Sequence, residues 1–255
     1  MASSYWNYGI IASSEVTHDS PPIRPISPAI MTAHSDIERA RFNMVEQQIR
    51  PWEVLDQQVL DLLFELRRED FVLPQYRSHA FVDMEIPLSA DAGADERMLS
   101  PKLEARMLQE LAVKPTDRVL EIGTGSGYMT ALLARRAAHV TSVEIKPVFS
   151  AQAAERLAAH DIHNVTLEIG DGARGWNRSA PYDVIVLTGS TPVLDGAFQA
   201  SLTAGGRLLA IVGEAPVMTA QLVTCEAPGA LRTTGLFETC VASLRNAPQP
   251  ERFVF

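Results

Sequence analysis

From Arg118 onward, short apolar runs alternate with stretches of helical spacing, and this alternation restricts the fold more than any other feature of the chain. The runs cover residues 119–122, 140–143, 165–168, 184–187 and 208–212. Each is strand-length and rich in Val, Ile and Leu. Helical patterns at 128–136, 149–160 and 197–202 fall between them. Order βαβαβ requires a parallel sheet, because each helical crossover returns the chain to the same end of the sheet, and unbroken apolar runs predict that both faces are covered. After Gly213, residues 220–224 and 235–244 read as two more strands with no helix between them, expected as an antiparallel pair at one edge. The expected architecture is α/β: a doubly wound, mostly parallel, seven-stranded sheet.

Ahead of that region the pattern is helical and interrupted. Ser35 and Glu38 have capping-box spacing, and Ile37, Met44, Val45 and Ile49 follow on one helical face that stops before Pro51. Leu55, Val59, Leu62, Leu63 and Leu66 mark a second helix. Residues 81–97 read as a loop with an acidic tract containing Asp91, Asp95 and Glu96. Ser100-Pro101 then supplies an N-cap and a first-turn proline for a helix carrying Leu103, Met107, Leu108 and Leu111. Residues 1–34, rich in Ser and Pro and without any period, are expected to be a disordered extension. They lack the basic and apolar regions of a secretory signal. Residues 35–115 then form a helical N-terminal cap, and 116–255 the core of the same single domain.

Composition narrows the partners. Lys and Arg number 22 against 31 Asp and Glu, a formal charge of -9 that repels a polyphosphate backbone, so no nucleic acid is expected. Cys225 and Cys240 are isolated, and the six histidines lack ligand spacing. Neither a disulfide framework nor a metal site is expected, and a reducing, cytoplasmic location follows. No apolar run approaches the about 18 residues that a membrane helix needs. Nothing specifies an oligomer, and a monomer is the default expectation.

The chemistry concentrates where the first strand ends. Gly123-Thr124-Gly125-Ser126-Gly127 is a glycine turn opening the helix at Tyr128, where missing Cβ atoms let the chain reverse and a ligand approach the backbone. Its GxGxG spacing differs from the GxGxxG of dinucleotide binders. Glu121 precedes the turn, and Glu144 ends the second strand, where a carboxylate can accept both hydroxyls of a ribose. Asp171, in Gly170-Asp171-Gly172 after the third strand, brings a third acid to the same edge, toward the adenine. Three acids around one crevice suit a cationic nucleoside and disfavour a pyrophosphate cofactor.

The stretches Glu121-Ile122-Gly123-Thr124-Gly125-Ser126-Gly127-Tyr128, Ser142-Val143-Glu144, Gly170-Asp171-Gly172, Gly175-Trp176 and Pro181-Tyr182-Asp183 together resemble the protein-L-isoaspartate O-methyltransferases. Met44-Val45-Glu46-Gln47-Gln48-Ile49-Arg50 and Phe71-Val72 match that family's N-terminal pattern, and the resemblance spans roughly residues 36 to 213. It implies the class I methyltransferase, Rossmann-like fold and S-adenosyl-L-methionine as cofactor. The implied contacts are cofactor binding by residues 123–127, ribose binding by Glu144 and adenine-side contact at Asp171 and Gly172. The implied acceptor is a protein or peptide carboxylate, an isoaspartyl group in a damaged protein.

Two segments depart from the family, both on the acceptor side. The family's glycine-rich run and Gln-Thr-Ile-Ser element are replaced by Asp91-Ala92-Gly93-Ala94-Asp95-Glu96-Arg97-Met98-Leu99-Ser100-Pro101. After the fourth strand, Thr188-Gly189-Ser190-Thr191-Pro192 stands where a Thr-Ala-Ala-Pro-like run is usual. Ser100 and Thr188 are the catalytic-side candidates, as hydroxyls able to meet the acceptor. Alternative readings keep the cofactor and change the acceptor, or retain binding without catalysis.

Overall fold

A computed structural model describes residues 28–91, 95–227 and 229–251, with side chains described from residue 36. Most of the expected N-terminal extension therefore lies outside the described residues. The sheet, its helices and the crevice discussed below all belong to one unit, Glu38–Phe255.

The first helix, α1, spans Pro28–Met44 and begins ahead of the expected start at Ser35. Pro28 suits the first helical turn, where its missing N–H has no intrahelical acceptor. Val45–Ile49 widens into a π turn and Arg50–Trp52 tightens into a 3-10 turn. Helix α2 covers Gln57–Glu65, capped by Asp56, whose side chain accepts the Gln58 N–H. Val59, Leu62, Leu63 and Leu66 are buried as the spacing predicts, Leu60 is buried beside them, and Leu55, expected on the same face, lies ahead of the helix and is 70% exposed. The region expected as a plain loop contains two short antiparallel strands, β1 at Ile86–Pro87 and β2 at Arg97–Met98. Helix α3 follows at Pro101–Leu111.

The main sheet comprises β3 Arg118–Ile122, β4 His139–Glu144, β5 Val165–Ile169, β6 Tyr182–Thr191, β7 Leu202–Glu214, β8 Val217–Ala227 and β9 Ala230–Thr239. Its order is β5-β4-β3-β6-β7-β8-β9. The first five strands in that order run parallel, and β8 and β9 complete the edge antiparallel. Helices α4 Tyr128–Ala134, α5 Pro147–Ala159 and α6 Gly196–Ala200 provide the crossovers β3 to β4, β4 to β5 and β6 to β7. The chain winds outward from β3 to β5, then crosses to β6 on the other side of β3. That reversal leaves a crevice at the carboxyl ends of the strands, where open α/β sheets bind ligands.

Strand residues divide by parity between two cores. Val119, Val140, Val184, Val186, Leu209 and Ile211 join the cap, α3 and α4 in one apolar cluster. Leu120, Ile122, Val143, Ile185, Leu187 and Leu208 join Phe198 of α6 and Trp176 in the other. Both faces of the central strands β3, β6 and β7 are covered, which is why their runs are largely apolar, whereas Val-Thr-Leu-Glu-Ile of edge strand β5 alternates and leaves Thr166 and Ile169 exposed.

The last strand is shifted from its expected position. Gly229 takes φ +81, so the chain reverses directly after β8 and β9 begins at Ala230 instead of Gly235. Residues 241–245 leave the edge and run beside the end of β6, pairing Ser190 with Ser243 in parallel.

Candidate active site

The crevice encloses about 980 Å³ of atom-free space, part of it open to solvent. One wall is the glycine turn with Glu144 and residues 170–173. The other joins Glu85, Leu88 and the segment 95–99 to Thr188, Gly189 and residues 242–245.

Three glycines of the turn adopt positive φ: Gly123 at +100, Gly125 at +52 and Gly127 at +83. A Cβ on Gly123 would run into Thr188 Oγ1, and one on Gly127 would press on Ala153 of α5. Both helix packing and the turn thus require glycine. Glu144 is 6% exposed, and its carboxylate is fixed at both oxygens: Oε2 accepts the Gly125 N–H at 2.9 Å and Oε1 the Lys146 N–H at 2.9 Å. An acid at the strand end therefore holds the loop in place while facing the crevice. Asp171 also lines the crevice, accepting the Ala173 N–H at 3.1 Å and the Asn246 side-chain amide at 2.8 Å. Beside it, a Cβ on Gly172 would meet Ile122 Cδ1 at 2.8 Å.

Glu121 does not reach the crevice. It is fully buried beneath the turn, where Oε2 accepts hydroxyls from Thr130 at 2.5 Å and Ser142 at 2.6 Å and Oε1 has no partner. Ser142 and Thr124 hydroxyls lie 2.6 Å apart, linking the acid to the turn above. Burial pushes Glu121 up to about 8, the two hydroxyls pulling it back and the charges of Glu104 and Glu144 raising it further. Its place is under the loop because strand residues alternate, and the parity that turns Ile122 toward the crevice turns Glu121 away.

Of the two acceptor-side hydroxyls, Thr188 lines the crevice and Ser100 does not. Thr188 Oγ1 bonds to the carbonyls of Ile122 and Gly123 at 3.0 and 2.6 Å, so it clamps the glycine turn from the opposite wall. Ser100 occupies the N-cap of α3 without a side-chain cap bond; its carbonyl accepts the Leu103 and Glu104 N–H groups. Trp176 packs against Gly170, where a Cβ would meet its ring at 2.5 Å, and is absent from the crevice lining.

Several lining groups are not legible in the sequence as site residues. Glu96 is 8% exposed and accepts Lys146 Nζ and Arg245 Nη2 on one oxygen. The Lys146 bond, with that of Arg245, holds its carboxyl below the usual range against the opposing effect of burial. The acidic tract is thus partly built into the wall, with the cations on Glu96 supplied by distant segments; nearby Lys102 pairs with Asp83 at 2.6 Å. Glu104 of α3 forms a buried pair with Arg68, whose Nε and Nη2 donate to the carbonyls of Ala80 at 2.9 Å and Leu99 at 2.6 Å. Burial raises Glu104 to about 7 against the pull of that guanidinium. The charges that set these positions come from distant segments, so no local spacing announces them.

Among the described residues, no cluster of three or more His, Cys, Asp or Glu side chains could hold a metal ion, and no helix is long and apolar enough to cross a membrane.

A family model described as protein-L-isoaspartate(D-aspartate) O-methyltransferase matches residues 38–239. A solved structure described as a protein-L-isoaspartate O-methyltransferase is similar at 25% identity and TM-score 0.68, over 81% of this chain and 65% of that one. This chain thus spans just under two thirds of that protein's length. A Plasmodium falciparum structure described under the same family name, in complex with S-adenosyl-L-homocysteine, aligns at 17% identity and TM-score 0.68, over 82% of this chain and 97% of that one. Its likeness bears on the fold.

Proposed function

The chain belongs to the protein-L-isoaspartate(D-aspartate) O-methyltransferase family, and from that membership we propose that it uses S-adenosyl-L-methionine to methylate isoaspartyl carboxylates in damaged proteins. The observation that carries this reading is the crevice wall in which a turn with three positive-φ glycines meets the doubly anchored Glu144.

The residues present fit that cofactor. Glu85, Asp95, Glu96, Glu104, Glu144 and Asp171 line the crevice against Arg97, Lys146 and Arg245. Such an acidic lining favours a cationic ligand. When bound, the cofactor supplies an electrophilic methyl group on a sulfonium. Glu144 would accept ribose hydroxyls, Asp171 and Gly172 would border the adenine, and the backbone of Gly123, Thr124, Gly125, Ser126 and Gly127 would border the remainder. Glu121 acts beneath them, ordering the turn through Ser142 and Thr124.

An acceptor carboxylate, which ordinarily titrates near pH ~4, is ionised at neutral pH, so the chain need provide no general base. What its residues supply is alignment and exclusion of water, which account for several kcal/mol of a bimolecular barrier. Thr188 contributes by bracing the turn from the acceptor wall. A second reading, methyl transfer to a different carboxylate or hydroxyl, is favoured by one observation: Ser100 stands outside the crevice. A cytoplasmic location completes the proposal, supported by the two free cysteines, Cys225 buried and Cys240 exposed.

The deciding assay mixes the protein with S-adenosyl-L-methionine and an isoaspartyl peptide. Formation of S-adenosyl-L-homocysteine with a base-labile methyl ester on the peptide is expected. Turnover with a small-molecule acceptor but none over an isoaspartyl peptide panel would transfer the conclusion to the second reading.

A further inference from the structure

Two cations converge on one carboxylate at the crevice wall. Arg245 Nη2 donates to Glu96 Oε1 at 2.6 Å, and Lys146 Nζ donates to the same oxygen. The group as a whole carries one surplus positive charge. Its members come from three places: Glu96 just before β2, Lys146 just after β4, and Arg245 in the segment that follows β9.

That last segment is firmly seated. Fully buried Ser190 donates its N–H to the Ala242 carbonyl at 2.9 Å, accepts the Leu244 N–H at 2.8 Å and donates its hydroxyl to the Val241 carbonyl at 3.1 Å. Leu244 lies over the acceptor-side backbone, where a Cβ on Gly189 would meet its Cδ2 at 2.9 Å. Arg245, the next residue, lines the crevice with its side chain still 54% exposed. A guanidinium carries five N–H donors, and among the described residues only one of those on Arg245 has a partner.

We propose that Arg245 is the acceptor-recognising residue, binding the carboxylate to be methylated, and that Glu96 is the placeholder the acceptor displaces. The inference rests on the carboxyl-methylation reading above. An anionic acceptor entering a crevice lined by more acids than bases needs a cation, and a planar fork matches a carboxylate in a way that an ammonium does not. Lys146 is the poorer candidate. Its backbone N–H holds Glu144 on the opposite wall, and its ammonium lies 5.4 Å from the Phe149 ring centroid. Thr188 has its hydroxyl on the turn carbonyls, and Ser100 is outside. Arg97, the third lining cation, sets its charge against Glu85, which leaves Arg245 as the lining cation with donors to offer.

The test is calorimetry on full-length protein saturated with S-adenosyl-L-homocysteine, titrated with an isoaspartyl peptide and with the same peptide in which the free α-carboxylate of the isoaspartyl residue is replaced by its amide. Wild type should prefer the carboxylate by about tenfold or more, the scale of one hydrogen bond to a charged group. Arg245→Gln should abolish that preference and raise KM for the peptide more than it lowers kcat. Glu96→Gln should act in the opposite direction, strengthening carboxylate binding about two- to fivefold, since the competing anion is gone. If Arg245 merely latched the two segments together, both variants would weaken carboxylate and amide alike, and that result would overturn the assignment. An Arg245→Gln variant that keeps the carboxylate preference would overturn it too, while methylation by wild type left the parent reading standing. Wild type that neither binds nor methylates the isoaspartyl peptide would bring down the parent reading, and this inference with it.

Discussion

The wall between Gly123 and Glu144 is built from local geometry, whereas the wall facing it is assembled from segments that meet only through long-range pairs. On the first side, a turn with three positive-φ glycines sits on Glu144, 19 residues away in sequence, and on a hydroxyl relay from Glu121. On the second, Arg68 reaches Glu104 across 36 residues, and Arg245 reaches Glu96 across 149. Backbone conformation holds one wall, and contacts between distant segments hold the other: charge pairs at Glu96 and Glu104, and the bonds of Ser190 to residues 241–244. The first can present the same surface to one cofactor, and the second can change its acceptor by exchanging a few side chains without disturbing the turn.

That contrast explains what is legible in the sequence. Apolar runs and glycine spacing are short-range signals, so the parallel sheet, α2, α3 and the Glu144 position can all be read from them. Parity along β3 is a signal of the same kind: it places Glu121 under the turn once Ile122 is assigned to the crevice side. The partners of Glu96 leave no such signal, because Lys146 and Arg245 share no spacing with it. The strand shift at β9 depends on Gly229, a single turn residue in a stretch whose apolar pattern fits either register. Residues 241–244 read as strand continuation because Ser190, which draws them to β6, lies 51 positions upstream of Val241.

The sharpest way to separate the walls is to remove Arg68. Arg68→Ala leaves Glu104 buried without its guanidinium and frees the carbonyls of Ala80 and Leu99, so stability should fall by about 3–5 kcal/mol, as for other broken buried pairs. Denaturant titration measures it. Below the transition, S-adenosyl-L-homocysteine should still bind within about twofold of wild type by calorimetry, an effect below about 0.4 kcal/mol. Arg68 also lies 5.1 Å from the Tyr128 ring centroid, at the start of α4. A parallel collapse of cofactor affinity would therefore show that the two walls share that support, and the contrast would be lost.

Gly123→Ala is the converse experiment. A left-handed backbone costs a residue with a Cβ about 1–2 kcal/mol, and the new methyl displaces Thr188 Oγ1, whose bonds to the turn carbonyls contribute about 1 kcal/mol more. The variant turn should relax in the free protein, and restoring it on binding should weaken S-adenosyl-L-homocysteine about 100-fold, or about 3 kcal/mol. Global stability should change less than in Arg68→Ala. Affinity unchanged by calorimetry would mean that the turn is not the cofactor wall.

The last test concerns how the local wall is supported from below. Glu121 is held up to about 8 by burial, whereas in the unfolded chain it titrates near 4.5. Between those values the folded protein keeps a proton that the unfolded chain has lost. Stability must therefore decline as pH rises through that window, at no more than about 1.4 kcal/mol per pH unit for one group. Below about 4.5 both states are protonated and the penalty is absent; above about 8 it is complete. Glu121→Gln removes this titration while keeping an oxygen for the Ser142 and Thr130 hydroxyls. Urea midpoints taken from about pH 5 to about pH 9 should fall more steeply for wild type than for the variant. A residual slope should persist up to about pH 7, because Glu104 is raised in the same direction. If the two profiles run parallel, Glu121 is ionised in the folded protein, and the turn rests on a buried charge instead of a neutral acid.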